Sequence, residues 1–168
     1  KKMKVGPGLS SPDMGPLVSQ EQFEKVKGYI KSGQDDGAKC EVGGGTIGDK
    51  GYFVEPTVLT NTNDKMKVIT EEIFGPVVAA EPFDNAEEVM ARSNNSTYGL
   101  AAAVWTSDLK KAINTADAFR AGTVWINTFN IFDAALPFGG YKQSGWGREM
   151  GSEILDAYTE TKSVVIAK

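Results

Sequence analysis

The chain reads as an α/β fold built on a parallel sheet of β-α-β units, and three observations predict it. From Val77 onward, short apolar or β-branched runs alternate with amphipathic ones: strand 77–83, helix 85–94, strand 100–106, helix 107–120, strand 122–128. The run Leu100–Thr106 (LAAAVWT) is apolar on both faces, which suits a central parallel strand covered by helices. Finally, the aperiodic segment 128–149 leaves the last of these strands at its carboxyl end, where ligands bind in open parallel sheets.

The elements before Val77 are less regular. Residues 1–18 are rich in turn formers, with Gly6-Pro7-Gly8, Ser10-Ser11-Pro12 and Gly15-Pro16. Ser19 then caps a helix whose apolar face is Phe23, Val26 and Ile30; Gln22 completes a capping box, Val18 and Phe23 occupy staple positions, and Gly33 or Gly37 closes the helix. A short strand follows at 40–42, then the Gly43-Gly44-Gly45 turn and an extended segment, Tyr52–Leu59. Pro56 bars that segment from the middle of a sheet and places it at an edge or as an extended arm. Met66–Ile69 reads as another extended run. Within the later pattern, Ser107 is the expected cap of a helix burying Leu109, Ala112, Ile113, Ala116 and Phe119. After the long loop come a short helix at 152–157 and a final strand, 161–168, which must pair with the existing sheet or with another subunit.

Composition removes several classes of function. The 168 residues suit one domain with a core, and a net charge of −4 without a basic stripe argues against nucleic acid as a partner. No apolar run is long enough for a membrane span, and the basic Lys1–Lys4 start leads into glycine and proline instead of a signal-like apolar stretch. There is no histidine, so imidazole-based nucleophile pairs and metal sites are excluded; Cys40 is the only cysteine, so internal disulfides go too. No metal site is expected, and a reducing, cytoplasmic setting is the default.

The long loop carries Phe129, Phe132, Phe138 and Tyr141 among Gly139, Gly140, Gly145 and Gly147. Such a segment is either a binding wall of apolar rings or a plug over a core beneath a glycine-rich turn. Its position at a strand's carboxyl end favours the wall.

Four stretches in order now carry a family resemblance: Glu71-Glu72-Ile73-Phe74-Gly75-Pro76-Val77, Asn95-Ser96-Thr97-Tyr98-Gly99-Leu100, Gly122-Thr123-Val124-Trp125-Ile126-Asn127, and Pro137-Phe138-Gly139-Gly140-Tyr141-Lys142 with Ser144-Gly145 and Gly147-Arg148-Glu149. Together they resemble the C-terminal part of the NAD(P)-dependent aldehyde dehydrogenases, over essentially the whole chain. The resemblance implies a partial catalytic domain of that family at 1–160 and a terminal oligomerisation strand at 161–168. It implies an oxidoreductase that converts an aldehyde to a carboxylic acid with NAD or NADP, acts as a homo-oligomer, and has its nucleophilic cysteine upstream of this segment. On that reading the isolated chain is inactive. Cys40 lies outside any matching motif and reads as a structural thiol.

Site residues follow from the same resemblance. Glu72 would accept the two hydroxyls of the nicotinamide-side ribose, and Phe74 would pack beside it; otherwise they are a solvated glutamate and a core ring. Gln22 and Lys25 match positions touching the adenine-side ribose, against a capping-box role for Gln22 and a solvated one for Lys25. Phe132 and Phe138 match rings of the aldehyde tunnel. Glu149 matches an inner carboxylate that orders water or moves protons, with a helix N-terminal acid as the alternative. Glu160 matches an interface carboxylate, with Arg148 and Lys162 as charge partners. The loop Ile131–Pro137 looks most like members acting on arylacetaldehydes or other bulky apolar aldehydes, although Asp133 is polar where many relatives carry a small residue. The competing reading of the whole chain is a non-catalytic assembly or binding module that retains the fold.

Overall fold

Helix α1 (Gln20–Asp35) begins where the sequence places it, because Ser19 is extended and its Oγ accepts a hydrogen bond from the Gln22 amide at 3.2 Å in the computed structural model, which describes residues 3–168. The expected staple is not made, since Val18 is exposed. Gly37, at φ +100°, closes the helix, and the Ala38 amide bonds the Gly33 carbonyl at 2.8 Å. The chain divides into two units, Lys1–Pro82 and Phe83–Lys168.

In the first unit, β1 (Lys39–Val42), β2 (Thr57–Thr60) and β3 (Val77–Ala79) form a sheet in that order. β1 runs antiparallel to β2 with an irregularity between Cys40 and Val42, and β2 runs parallel to β3 with Thr57 opposite Val77. β2 is therefore central, contrary to the edge position expected from Pro56. The proline stands just before the strand, so its missing N–H falls outside the ladder. At the sheet's end the Lys39 ammonium, 2.9 Å from Glu41, and the Thr60 hydroxyl at 2.8 Å hold the Glu41 carboxyl below the usual carboxylate range.

Met66–Ile69 is not extended. It is the start of a one-turn helix, α2 (Lys67–Thr70), with Met66 as its N-cap. Packing overrides the β-branched composition: Met66 and Val68 are buried together, and Val68 lies so close to Gly33 of α1 that a Cβ there would sit 3.0 Å from its methyl. Val26, Ile30, Val54, Leu59 and Ile73 complete this core.

The second unit contains one of the expected β-α-β crossovers. β5 (Ala101–Val104) and β6 (Thr123–Ile126) are parallel, with Ala101 opposite Thr123 and Val104 opposite Ile126, and α4 (Leu109–Ala118) connects them. β3 pairs with β2 and is not laddered with β5 or β6, so the anticipated run of three parallel strands in one sheet is divided. The helix before β5, α3 (Ala86–Asn94), is capped by Asn85. The cap of α4 is Asp108 and not Ser107; its carboxylate accepts from the Lys111 amide at 2.9 Å. Ala112 is buried, whereas Leu109 and Ile113 remain exposed, because a two-stranded sheet cannot cover the helix's whole apolar face.

The long loop is not structureless. Within it β7 (Tyr141–Lys142) pairs antiparallel with β4 (Tyr98–Gly99), joining two of the sequence motifs. The Lys142 ammonium donates to the carbonyls of Asn94 and Ser96, at 2.9 Å each, and the Ser144 hydroxyl accepts from the Gly99 amide at 3.0 Å. The third motif enters through Gly122, whose amide bonds the Gly99 carbonyl at 3.0 Å. A Cβ on Gly122 would stand 1.6 Å from the Gly139 carbonyl oxygen, so no side chain fits. Helix α5 (Ile154–Tyr158) follows, and residues 159–168 take neither helix nor strand, with Val164, Val165 and Ile166 exposed. Among the described residues the anticipated terminal strand has no ladder partner within this chain. No helix is long and apolar enough to cross a membrane among those residues.

Two glycine substitutions should move stability in opposite directions. Gly122→Ala is expected to lower it by about 3 kcal/mol or more, since backbone must shift. Gly28→Ala, in the interior of α1 with nothing within 4 Å of the added carbon, is expected to raise it by about 0.5–1 kcal/mol. Denaturant melts of the two variants check both.

Candidate functional site

Glu71–Pro76 is held against one face of α1. Gln22, Val26 and Tyr29 recur at i, i+4 and i+7, and each meets a different part of the segment. The Gln22 side-chain nitrogen donates to the carbonyls of Ile73 at 3.1 Å and Phe74 at 2.9 Å. The Tyr29 hydroxyl donates to the Glu71 carboxylate at 2.7 Å. Val26 packs so tightly under Gly75 that a Cβ there would meet its methyl at 2.5 Å. Ile73 points into the core at 9 % exposure, while Phe74 stands 72 % exposed with φ +53°, in the left-handed region that large side chains avoid. Glu72 is exposed and receives no hydrogen bond from another described residue. Lys25 lies one position off the docking face, with its ammonium 6.0 Å from the Tyr29 ring centroid.

The predicted cofactor residues of this unit are thus gathered around one segment. For two of them the competing alternative does not hold: the capping-box role of Gln22 is only half present, because Ser19 caps the helix but the Gln22 amide reaches the Ile73 and Phe74 carbonyls, and Phe74 is not a core ring.

In the second unit the aromatic residues of the loop form a continuous chain. Trp125 of β6 meets Phe129 edge-on at a centroid distance of 5.2 Å and Phe132 at 5.7 Å, and Phe132 meets Phe138 at 5.1 Å. The Trp125 indole N–H donates to the Ile131 carbonyl at 2.8 Å, which fixes the loop onto the strand. A cleft of about 360 Å³ opens beside these rings, lined by Thr123, Trp125, Ile131, Phe132, Phe138 and Met150 among others.

Glu149 sits at the edge of the same cluster. Its backbone exchanges two hydrogen bonds of 2.7 Å with Phe138, which sets the two residues directly opposite each other and leaves the carboxylate exposed. It is not a helix N-terminal acid, since α5 begins only at Ile154. Arg148 is otherwise engaged than by Glu160: its guanidinium donates to the carbonyls of Gly140 at 3.1 Å and Gly147 at 2.6 Å and lies over the Tyr141 ring. Asp133 turns inward on its own turn, accepting from the Ala135 amide at 2.8 Å. Cys40 donates weakly to the Val42 carbonyl at 3.3 Å within β1. Among the described residues no group of carboxylates and thiols is arranged to hold a metal ion.

Residues 1–164 match the aldehyde dehydrogenase family. The chain belongs to that family. It is 55% identical over 167 residues to the mitochondrial aldehyde dehydrogenase of Equus caballus, covering 99% of this chain and 33% of that protein. The aldehyde dehydrogenase of Bacillus cereus, solved as an NAD+ complex, superposes with a TM-score of 0.94 at 55% identity, over 96% of this chain and 33% of that one. The betaine aldehyde dehydrogenase of Staphylococcus aureus, also solved with NAD+, gives a TM-score of 0.89 at 43% identity over 93% and 32%. The chain therefore spans about a third of the length of the curated aldehyde dehydrogenases it matches.

Three contributors in this aldehyde dehydrogenase segment escaped sequence reasoning. Tyr29, which holds Glu71, was not singled out, although its i+7 spacing from Gln22 is a signal in the sequence. Trp125 was legible as a strand residue but not as the base of the ring cluster. Asn127, at φ +54°, brackets Thr106 through both amide atoms, at 2.9 Å each; the sequence marks it as the end of the third motif but not as the partner of Thr106.

The two ring environments should respond differently to truncation. Phe132→Ala removes two edge-on contacts and is expected to cost about 1–2 kcal/mol. Phe74→Ala, at an exposed position, is expected to stay within about 0.5 kcal/mol of the parent. Thermal melts measured side by side test the contrast.

Proposed function

We propose that this chain is the C-terminal portion of an NAD(P)-dependent aldehyde dehydrogenase, an oxidoreductase whose parent converts an aldehyde to a carboxylic acid, and that it supplies one wall for the cofactor and an aromatic lining for the aldehyde. The observation that carries the reading is Phe74. A large ring standing in solvent on a left-handed backbone, beside an exposed carboxylate, adds nothing to the core and is disfavoured unless it meets a ligand.

That pair suits a dinucleotide. Glu72 offers two acceptor oxygens to the hydroxyls of the nicotinamide-side ribose, and the Phe74 ring offers a flat apolar surface beside it. Lys25 is the candidate for the adenine-side ribose, while both N–H groups of Gln22, matched to the same ribose, are taken up by the Ile73 and Phe74 carbonyls. When bound, the nicotinamide supplies a hydride acceptor. Phe132 and Phe138 keep water from the reacting carbon, and Glu149, opposite Phe138, is placed to order a water or move a proton. Cys40 lies outside the motifs matched to the family, so on this proposal the sulfur nucleophile belongs to the parent's remaining sequence and the isolated chain is inactive. The ring-lined cleft favours arylacetaldehydes or similarly bulky apolar aldehydes, and Asp133, turned onto Ala135, does not oppose them.

The exposed Val164–Ile166 segment is proposed to pair as a strand with another copy of the protein. A reducing compartment such as the cytoplasm suits the free thiol of Cys40.

The test joins this chain to the sequence encoded upstream of it and measures NADH formation with an arylacetaldehyde and with a small aliphatic aldehyde. A folded, full-length protein with no turnover on either would overturn the proposal. In that protein Glu72→Ala is expected to weaken NAD+ binding by about tenfold to a hundredfold, as loss of hydrogen bonds to a charged acceptor requires, read by calorimetric titration.

A further inference from the structure

Gln22 is bound to the Phe74 segment in a way that assigns it a different task from ribose contact. Its primary amide carries two N–H groups, and two carbonyls stand within reach, Ile73 O at 3.1 Å and Phe74 O at 2.9 Å. Both donors are therefore committed to backbone that is distant in sequence. We propose that Gln22 is a positioning residue: it clamps these consecutive carbonyls, holds Phe74 in its left-handed conformation, and so fixes the direction in which Phe74 and Glu72 project.

Three features support the clamp. Phe74 at φ +53° needs an outside restraint, because no glycine relieves the position. The residues flanking the two exposed side chains are each fixed on α1 or in the core: Glu71 by the Tyr29 hydroxyl at 2.7 Å, Ile73 by burial, and Gly75 by contact with Val26. Of the three exposed residues of the segment, Glu71 is tied to Tyr29, and Glu72 and Phe74 project without such a tie among the described residues. Gln22 is bonded to the carbonyls of the two peptide groups that flank Phe74, so rotation of those peptides, which would swing the ring, breaks its hydrogen bonds.

The functional part of this inference rests on the reading that Glu72 and Phe74 meet the cofactor. The test uses full-length enzyme carrying this chain, with Gln22→Met, which keeps the length without a donor, and Gln22→Glu, which keeps acceptor oxygens but presents them to two carbonyls. Both variants are expected to speed amide hydrogen exchange across residues 71–76 by about tenfold and to weaken NAD+ binding by about threefold to tenfold. Both effects on binding should disappear when Phe74→Ala is already present. Unchanged exchange would overturn the clamp. Parent-like affinity in Gln22→Glu, or an effect that adds in full to that of Phe74→Ala, would mean that Gln22 contacts the ligand directly and would overturn the positioning role. If Phe74→Ala and Glu72→Ala leave NAD+ affinity unchanged while exchange still responds to Gln22, the cofactor reading fails and the positioning role with it, leaving a structural clamp.

Discussion

Backbone lying directly on backbone is the constraint on which the second unit depends. Gly122 enters β6 against the Gly139 carbonyl, and Gly99 lies where a Cβ would meet the Arg120 carbonyl at 2.6 Å. At this spacing the amides of one segment reach the carbonyls of another, so peptide groups join β4 to β7 and to the start of β6 directly. The loop that carries Phe132, Phe138 and Glu149 starts and returns through this lock. Its aromatic groups can thus be exposed without being loosely held, since the backbone beneath them is anchored at both ends.

Polar side chains in the same region serve mainly to complete that lattice. Lys142 ends α3 by donating to Asn94 and Ser96, Asn94 bridges to the Ala118 carbonyl at 2.7 Å and the Arg120 amide at 2.8 Å, and Arg148 holds the Gly140 carbonyl. A lysine or arginine inside a motif is easily read as a ligand for an anion. Here both have carbonyl partners supplied by the fold, whereas Glu149 and Glu72 are exposed and have no hydrogen-bond partner for their carboxylates among the described residues. The first unit follows the same rule on a helix: Gln22, Val26 and Tyr29 hold a segment by its backbone and its flanking glutamate, which frees the two intervening side chains.

The sequence made legible whatever depends on neighbours along the chain. The Ser19 cap, the Val26 and Ile30 face, the β-α-β crossover of β5, α4 and β6, and the motifs placing Phe132 and Phe138 together all follow from local pattern. What failed was decided at long range. That β3 pairs with β2 is not encoded in its three residues, and Met66–Ile69 has a composition suited to a strand until its burial on α1 makes a helical turn better. Pro56 misled because its effect depends on a single residue of register at the strand's start. The site was partly legible for the same reason. Glu72, Phe74 and Glu149 can be named from motifs, but the hydrogen bonds of Gln22 link residues more than fifty positions apart, and no periodicity reports them.

The environment of Trp125 has a spectroscopic consequence. Of the three indoles, Trp105 is 63% and Trp146 98% exposed, whereas Trp125 is 8% exposed and bonded through its nitrogen inside the ring cluster. Its emission should lie to the blue of the other two and be shielded from aqueous quenchers such as iodide, so a substrate-sized molecule entering the cleft changes the fluorescence of one identifiable chromophore. The protein carries its own optical probe of the aromatic wall, with no label attached.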